Sequence, residues 1–242
     1  MPPNRPIICA HRGVSSTHPE NTLAAIAKAC DIGALQTEID VRRTSDGHLV
    51  LMHDESVDRT TSGTGPVSSM TLADIKSLDA GSWKSEEFAG ETVPTLPETL
   101  QLCRERGMFL CIEIKQDEIA PEVVRDVEAA GMLDNVIIIA FNFNNIAQVR
   151  QVNTRIPTGF LVSRIPDGEL DTIIGRCLDH GIPVISSLFT QVTEDVVTRC
   201  RLRGITLYAW TIDDPDLARD VAATGVDLIA SNTPAEIMAA LS

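Results

Sequence analysis

Charged residues occur two positions apart in two short, mainly apolar segments of this 242-residue chain. Glu38 and Asp40 stand in one segment, and Glu113 stands with Lys115 in the other. Alternate residues of an extended strand project from one face, so each pair should point to one side of its strand. Buried carboxylates are costly unless a cation compensates their charge, and hard divalent ions prefer oxygen ligands. The sequence therefore favours a divalent cation site at the three carboxylates over a solvated rim with a Lys–Glu ion pair.

A turn signal brings a histidine towards the first acidic pair. Asp-Gly favours a two-residue hairpin loop, and such a loop at Asp46 and Gly47 pairs His53 with Asp40 across the hairpin. Residues that pair directly across two antiparallel strands share a face. The sequence therefore predicts that His53 returns to the acidic cluster.

A second histidine ends the first apolar run and is followed by an arginine and a glycine. Imidazoles titrate near neutral pH, so His11 and His53 together suit general acid and base work. Arg12 offers a planar fork for phosphate oxygens, and Gly13 lets the backbone approach a ligand closely. These residue types point to acid–base chemistry on a phosphate group.

The segments that position these residues alternate between predicted strands and helices. Eight runs rich in Val, Ile and Leu, typical of parallel strands covered on both faces, are predicted at 7–10, 36–41, 109–114, 136–140, 158–162, 183–186, 206–210 and 227–230. Amphipathic stretches that end in glycine, a common helix stop, are predicted at 21–33, 96–107, 119–131 and 214–225. This alternation predicts an α/β fold, a (β/α)₈ TIM barrel, with its active groups at the C-terminal ends of the strands. A doubly wound open sheet is the alternative, but it needs fewer units and usually has a glycine-rich first turn.

One segment interrupts the alternation. Residues 54–93 are rich in turn formers and only weakly periodic. Because a bare loop of this length is uncommon, we expect a small insertion after the second strand that folds over the active face. The whole chain, 1–242, is expected to form one catalytic barrel domain that includes this insertion.

The composition argues against several partners. The formal net charge is −14, from 20 Lys plus Arg against 34 Asp plus Glu, which disfavours nucleic acid and anionic membranes. The longest apolar run, 136–141, is far shorter than the roughly 20 residues that span a bilayer, and residues 1–10 leave no room for a secretion signal. Six cysteines without paired spacing favour free thiols in a reduced compartment. We therefore expect a cytoplasmic protein without stable membrane association, and either a monomer or a homo-oligomer.

The motifs, taken in order, resemble those of the glycerophosphodiester phosphodiesterase family over nearly the whole chain, from residue 11 to about 234. They are His-Arg-Gly at 11–13, Pro-Glu-Asn-Thr at 19–22, Glu-Ile-Asp-Val at 38–41, Thr-Ser-Asp-Gly at 44–47, His-Asp at 53–54, Arg-Thr-Thr at 59–61, Glu-Ile-Lys at 113–115 and Trp-Thr at 210–211. The series is far more specific than any one of its members. The family fold is a (β/α)₈ barrel with a small insertion after the second strand, in agreement with residues 54–93.

The resemblance implies hydrolysis of glycerophosphodiesters, such as glycerophosphocholine, to sn-glycerol 3-phosphate and an alcohol, as part of glycerol and lipid metabolism. It also implies one bound divalent cation, Ca²⁺ or Mg²⁺. The positions that match the family's functional residues are Glu38, Asp40 and Glu113 as metal ligands, His11 and His53 as the catalytic pair, Arg12 and Lys115 as phosphate contacts, Glu20 and Asn21 as pocket residues, and Trp210 as a wall of the glycerol site.

One stretch departs from the family pattern. Near the end of the chain the family often has Asp-Gly-Ile-Ile-Thr-Asp, whereas this chain has Leu228 in place of the glycine and Asn232 in place of the second aspartate. The eighth-strand loop lies near the usual substrate rim, so the departure bears on the head group of the substrate rather than on the chemistry.

Other functions fit parts of the pattern. A metal-dependent amidohydrolase would need two histidines around one residue on the first strand, but Arg12 and Gly13 follow His11. A Schiff-base lyase could use Lys115, although the neighbouring Glu113 favours an ion pair. Within the family, a relative acting on a sugar or lysolipid phosphodiester remains an alternative. A barrel that binds phosphodiesters without cleaving them is the non-enzymatic alternative, and the histidine pair argues against it.

Overall fold

Eight parallel strands close into a barrel in a computed structural model that describes residues 5–242. The strands of the described chain are β1 (Ile7–His11), β2 (Gln36–Arg43), β3 (Leu49–Leu51), β4 (Phe109–Ile114), β5 (Val136–Ala140), β6 (Thr158–Val162), β7 (Val184–Leu188), β8 (Thr206–Trp210) and β9 (Leu228–Ser231). The barrel order is β1-β2-β4-β5-β6-β7-β8-β9, and β9 pairs with β1 to close it, while β3 pairs antiparallel with β2 outside this ring. The predicted TIM barrel is confirmed, and the open-sheet alternative is excluded by this closure.

Helices cover the outside of the barrel between successive strands. Those within residues 5–242 are α1 (Leu23–Asp31), α2 (Leu72–Lys76), α3 (Leu96–Arg106), α4 (Ala120–Ala129), α5 (Phe143–Val152), α6 (Leu170–Asp179), α7 (Glu194–Leu202), α8 (Pro215–Ala223) and α9 (Pro234–Ala240). Local sequence fixes their ends. In α3, for example, Thr95 and Glu98 form a capping box, and Gly107 ends the helix with a left-handed φ of 66°.

The predicted strand bounds agree with the structure at four of the eight barrel strands, namely β4, β5, β6 and β8. The strand predicted at 183–186 is β7, which begins at Val184 rather than at Pro183, because proline has no N–H to donate to the ladder. The last strand runs one residue later than predicted, at Leu228–Ser231.

The register of the β2–β3 hairpin differs from the predicted one. Val41 pairs with Leu51, and the Met52 amide donates to the Asp40 carbonyl oxygen at 3.0 Å, so Met52 rather than His53 lies opposite Asp40. The loop has three residues instead of two, because the Thr44 hydroxyl accepts a hydrogen bond from the His48 amide and closes a wider turn. The predicted pairing of His53 with Asp40 was therefore wrong by one residue.

The segment between β3 and α3, residues 54–93, contains α2 and two single 3₁₀ turns, Val67–Ser69 and Glu86–Phe88. It has a small apolar cluster of its own, which it shares with the end of the hairpin. The buried members of this cluster are Val50, Met52, Val57, Val67, Ile75, Ala80 and Val93. The insertion is thus ordered by its own packing.

Two apolar clusters stabilise the barrel itself. The larger one fills the space between the strands and the surrounding helices, and the smaller one fills the barrel interior, where Cys9, Cys111, Leu161 and Tyr208 are buried. All six cysteines, which lie within residues 5–242, are free thiols. In that same range the helices are too short or too polar for a bilayer crossing. Residues 1–4, on which the predicted lack of a secretion signal partly rests, lie outside the described residues.

Replacing Leu100→Ala tests the larger cluster. Leu100 is fully buried on α3, so the substitution should lower the free energy of unfolding by about 2–5 kcal/mol through lost burial and a residual cavity. Urea denaturation followed by circular dichroism measures this change. Leu202→Ala is the matched control because Leu202 is 80% exposed, and it should change the stability by less than about 0.5 kcal/mol. Equal effects of the two variants would contradict the assignment of the core.

Candidate active site

The turn after β1 places Arg12 over the end of the barrel. Gly13 has a φ of 81°, and a Cβ there would lie 2.6 Å from the Ala25 backbone carbon, so the turn requires glycine. Arg12 itself is in the left-handed region, with a φ of 56°. This turn lets the Arg12 amide donate to Glu38 Oε2 at 3.1 Å. The His-Arg-Gly sequence therefore couples β1 to the acidic residues of β2.

The three predicted carboxylates come together at the C-terminal ends of β2 and β4. Asp40 pairs in register with Glu113, and oxygens of Glu38, Asp40 and Glu113 lie within 4.8 Å of one another. All three side chains are buried, Asp40 completely. The hydrogen-bonding capacity of the cluster is not filled, since Glu38 Oε1 and Asp40 Oδ1 accept no hydrogen bond from the described residues.

Two cations lie against the cluster. The Arg12 guanidinium contacts Asp40 Oδ2 with Nε at 3.0 Å, and the Lys115 ammonium lies 2.7 Å from Glu113 Oε1 and 3.5 Å from Asp40 Oδ1. They compensate two of the three acidic charges. The unfilled oxygens of Glu38 and Asp40 are ligands of the kind that a hard divalent ion takes, so the cluster fits such an ion.

The ionisation of the three carboxyls differs because their surroundings differ. Burial, with Asp40 and Glu113 nearby, raises the pKa of Glu38 well above its usual value. Burial and the charge of Asp40 raise the pKa of Glu113 to about 7. Burial acts in the same direction on Asp40, but Arg12 and Lys115 outweigh it and lower the pKa of that carboxyl. The Asp40 carboxylate is therefore held ionised by its two ion pairs, whereas Glu38 and Glu113 bind protons more readily than exposed glutamates do, so a cation would compete with protons at these two residues.

His11 lies on the β1 side of the cluster. Its Nε2 is 3.8 Å from Glu38 Oε2, and its Nδ1 is 2.8 Å from Asn232 Oδ1. Burial and the positive charge of Arg12 lower the pKa of His11 to about 4, so the ring is neutral at physiological pH.

His53 lines the cavity beside the cluster in spite of the shifted hairpin register. A slip of one residue would turn it away from the site if the strand continued, but β3 ends at Leu51 and the chain bends there. The Arg42 guanidinium donates to the His53 carbonyl oxygen at 2.9 and 3.1 Å. The ring Nδ1 lies 2.6 Å from Asp54 Oδ1, and burial lowers the pKa of His53. Tertiary contacts, rather than strand pairing, thus direct His53 into the site.

A layer of charged residues supports Arg12 and His53 from outside. Glu20 accepts from Arg12 at 2.9 Å and from both terminal nitrogens of Arg59 at 2.8 Å. Arg59 also donates from Nε to Asp54 at 2.7 Å, which holds the pKa of Asp54 well below its usual range. Sequence reasoning assigned no role to Asp54 or Arg59, although both occur in the motifs of residues 53–54 and 59–61.

Asn21 lies behind Asp40 and does not line the cavity. Its Nδ2 donates to Asp40 Oδ2 at 2.8 Å, and its Oδ1 accepts from the Asp40 amide at 3.1 Å. Asn21 is almost fully buried and adopts a left-handed φ of 57°. The two hydrogen bonds fix the orientation of the Asp40 carboxylate, so its other oxygen faces the cluster.

A cavity of about 190 Å³ opens between the two histidines and extends into the barrel. One wall is aromatic, where Trp210 packs edge-on against Phe141 at a centroid distance of 5.7 Å. Ser186 and Tyr208 lie deeper on the wall, and their hydroxyls have no hydrogen-bond partner within residues 5–242. Sequence reasoning missed both residues, although Tyr208 stands two positions before Trp210 and therefore shares its face. The cavity thus combines an anion-binding mouth with a partly apolar interior.

This arrangement suits reactions of a phosphate ester. Carboxylates for a cation, an arginine and a lysine for phosphoryl oxygens, and two imidazoles on the same cavity can together stabilise charge and transfer protons. Nine of the ten predicted site residues contact the cluster or line the cavity directly, and Glu20 contacts it through Arg12.

Comparison with known proteins agrees with this geometry. Residues 11–236 match the model of the glycerophosphoryl diester phosphodiesterase family. A glycerophosphodiester phosphodiesterase of Caldanaerobacter subterraneus subsp. tengcongensis is 34% identical over 233 residues, which cover 94% of each chain. An Oleispira antarctica phosphodiesterase, solved with the product sn-glycerol-3-phosphate, has a TM-score of 0.88 at 30% identity and covers 98% of this chain and 96% of its own. A glycerophosphodiester phosphodiesterase of Agrobacterium tumefaciens has a TM-score of 0.84 at 30% identity, covering 97% and 99%.

Thermal unfolding with and without Ca²⁺ or Mg²⁺ tests the acidic cluster. An ion that binds only the folded protein should raise its stability by about 2.7 kcal/mol at 100 times the Kd. Because burial raises the pKa of Glu38 and Glu113, protons compete with the ion at low pH, and the rise in Tm should be larger at about pH 8 than at about pH 5.5. Glu38→Gln should reduce the rise, whereas Glu122→Gln, which changes a carboxylate paired with Arg43 elsewhere, should not. If neither Ca²⁺ nor Mg²⁺ raised the Tm of the wild-type protein, the acidic cluster would not be a cation site.

Proposed function

The chain belongs to the glycerophosphoryl diester phosphodiesterase family and is a phosphodiesterase, and we propose that it hydrolyses glycerophosphodiesters to sn-glycerol 3-phosphate and an alcohol. Glycerophosphocholine is a representative substrate. The observation that carries the proposal is the convergence of His11, His53 and the acidic cluster on one cavity. The product seen in the Oleispira antarctica phosphodiesterase supports the same substrate class.

We propose that Glu38, Asp40 and Glu113 hold one divalent cation, Ca²⁺ or Mg²⁺. The burial of the three carboxylates and the unfilled oxygens of Glu38 and Asp40 support this assignment. When bound, such an ion offsets the charge of the phosphoryl oxygens and polarises the phosphate. Asn21 keeps the Asp40 carboxylate in the orientation that this binding requires.

Arg12 and Lys115 share the remaining negative charge of the phosphate in this proposal. Both line the cavity mouth, and both are already anchored to carboxylates, Arg12 to Glu20 and Asp40 and Lys115 to Glu113. Anchored donors need little reorganisation when charge develops on the phosphoryl oxygens. Glu20 acts in this scheme by orienting the Arg12 guanidinium.

The two imidazoles transfer the protons. One removes a proton from the nucleophile, which is water or the neighbouring glycerol hydroxyl of the substrate, and the other protonates the leaving alkoxide. Both rings line the cavity that also contains Glu38 and Glu113, so both are placed to reach a phosphate bound there. Burial keeps His11 neutral at physiological pH, so that its ring can accept a proton.

The cavity beyond the phosphate would take the glycerol part of the substrate. Trp210 and Phe141 offer aromatic faces to the C–H groups of a polyol, and the hydroxyls of Ser186 and Tyr208 are free to bond its oxygens. A hydrolase acting on a sugar or lysolipid phosphodiester is the second candidate, since the mouth of the cavity is open to solvent beside Phe141, which is 45% exposed.

Residues 54–93 complete the active face in this proposal, as an insertion within one barrel domain that spans residues 1–242. The Arg59–Glu20 pair and a hydrogen bond of 2.7 Å from Lys84 Nζ to the Ser15 carbonyl oxygen attach the insertion to the loop after β1. The same loop carries Arg12, so the insertion and the catalytic end of the barrel share their charged contacts.

We further propose that the enzyme acts in the cytoplasm on soluble diesters of glycerol and lipid metabolism, without nucleic acid or a membrane as partner. The net charge of −14 opposes binding to polyanions and anionic lipid surfaces. The six free cysteines are compatible with a reducing compartment.

A panel of phosphodiesters tests the proposed activity. The purified enzyme should release sn-glycerol 3-phosphate from glycerophosphocholine, lose this activity with a chelator and regain it with Ca²⁺ or Mg²⁺. A coupled glycerol 3-phosphate assay measures the release. Cleavage of a lysolipid or sugar phosphodiester alone would support the second candidate, and binding without cleavage of any diester would contradict the proposed activity.

Substituting each histidine tests the acid–base pair. His11→Ala and His53→Ala should each lower kcat by roughly 10²–10⁴-fold, because each removes one proton transfer. Both variants should still bind the cation, which is measured by the rise in Tm that the cation causes. His48→Ala serves as the control, since His48 is exposed beside Asp46 and far from the cluster in the fold. Near-normal turnover in either site variant would remove that histidine from the mechanism.

A further inference from the structure

The amide of Asn232 lies between His11 and a carboxylate that plays no part in the scheme above. Asn232 Oδ1 is 2.8 Å from His11 Nδ1, and Asn232 Nδ2 donates to Asp213 Oδ2 at 2.6 Å. The Asn232 backbone amide also donates to Asp213, at Oδ1, at 2.6 Å. The three side chains form a chain of hydrogen bonds from the loop after β8, through the end of β9, to the ring of His11.

The orientation of this amide is determined by its partners. An ionised carboxylate accepts hydrogen bonds and donates none, so the NH₂ group of Asn232 must face Asp213 and the carbonyl oxygen must face His11. The Ser15 hydroxyl lies 2.8 Å from the same oxygen and 2.8 Å from the His11 carbonyl oxygen, so its one proton is shared between two acceptors and the contact with Asp213 is what orients the amide. Asp213 is itself held in place, because the Ser231 hydroxyl donates to its Oδ1 at 3.0 Å.

The fixed amide in turn determines the tautomer of His11. An amide oxygen can only accept, so Nδ1 of the neutral ring must carry the proton and Nε2 must carry the lone pair. Nε2 is the nitrogen on the side of Glu38, at the cavity mouth. His53 is held differently, since its Nδ1 bonds to the carboxylate of the next residue, Asp54.

We propose that Asp213 and Asn232 are positioning residues that hold His11 as the Nδ1-protonated tautomer, with the Nε2 lone pair directed at the reacting group. The proposal rests on the proposed function, in which His11 transfers a proton. In this proposal Asn232 orients His11, whereas the departure from the family pattern at this position had suggested an effect on the substrate head group. The proposal depends on the pairing of the Asn232 amide with the Asp213 carboxylate.

An exchange of the two side chains tests this pairing. Asn232→Ala should lower kcat by roughly 10–100-fold, the usual cost of losing a residue that orients a functional histidine, with little change in KM or in the rise in Tm caused by Ca²⁺. Asn232→Asp should also lower kcat, because two carboxylates then face each other. In the double variant Asp213→Asn, Asn232→Asp, the carboxylate at position 232 accepts from His11 Nδ1, and the amide at position 213 donates to that carboxylate. This variant should therefore recover most of the lost kcat. Asp216→Asn, on α8 and paired only with Arg219, is the control.

Nitrogen-15 NMR of histidine-labelled protein reads the tautomer without any substrate. The wild type should give the Nδ1-protonated pattern for His11, assigned by its loss in His11→Ala, and Asn232→Ala should lose that preference. Full kcat in Asn232→Ala, no recovery in the exchanged double variant, or an Nε2-protonated wild-type ring would each overturn the proposal. If the wild type released no sn-glycerol 3-phosphate, the proposed function would fail, and the NMR result would still decide the assignment of the tautomer.

Discussion

The burial of three carboxylates at one end of the barrel is the constraint on which the rest of the site depends. Glu38, Asp40 and Glu113 have lost most of their contact with water, and only Arg12 and Lys115 lie close enough to compensate them. A phosphodiester brings one more negative charge to the same place. Further positive charge at the cluster would offset this repulsion, and the two carboxylate oxygens without hydrogen bonds are available to a cation.

The barrel supplies the geometry that brings these buried carboxylates and their partners together. Parallel strands end at one rim, so side chains from β1, β2 and β4 meet there without any long loop to hold them. The polar rim lies above an apolar interior that contains Cys9, Cys111 and Tyr208, and the insertion adds Arg59 as a bridge between Glu20 and Asp54. Arg12 and His53, which line the cavity, are thus held by carboxylates outside its lining, Glu20 and Asp54.

The strands, the inward faces and most of the site could be predicted from the sequence, because they depend on periods of two and on apolar runs within one segment. The hairpin register could not, since a side-chain hydrogen bond from the His48 amide to Thr44 widened the loop by one residue. His53 reaches the site all the same, because β3 ends at Leu51 and Arg42 holds the bend that follows. The sequence thus predicted the position of His53 at the site, although the predicted pairing of His53 with Asp40 was wrong.

The sequence by itself determined which side chains share a strand face, as with Glu38 and Asp40, because the alternation of a strand is a local property of the backbone. Only the tertiary structure decided the partners of those side chains. His11 and Asn232 are 221 positions apart and meet because β9 closes on β1. Arg59 meets Glu20 because the insertion packs on the loop after β1. Such contacts depend on how distant segments are placed against each other, and no local period in the chain encodes that placement.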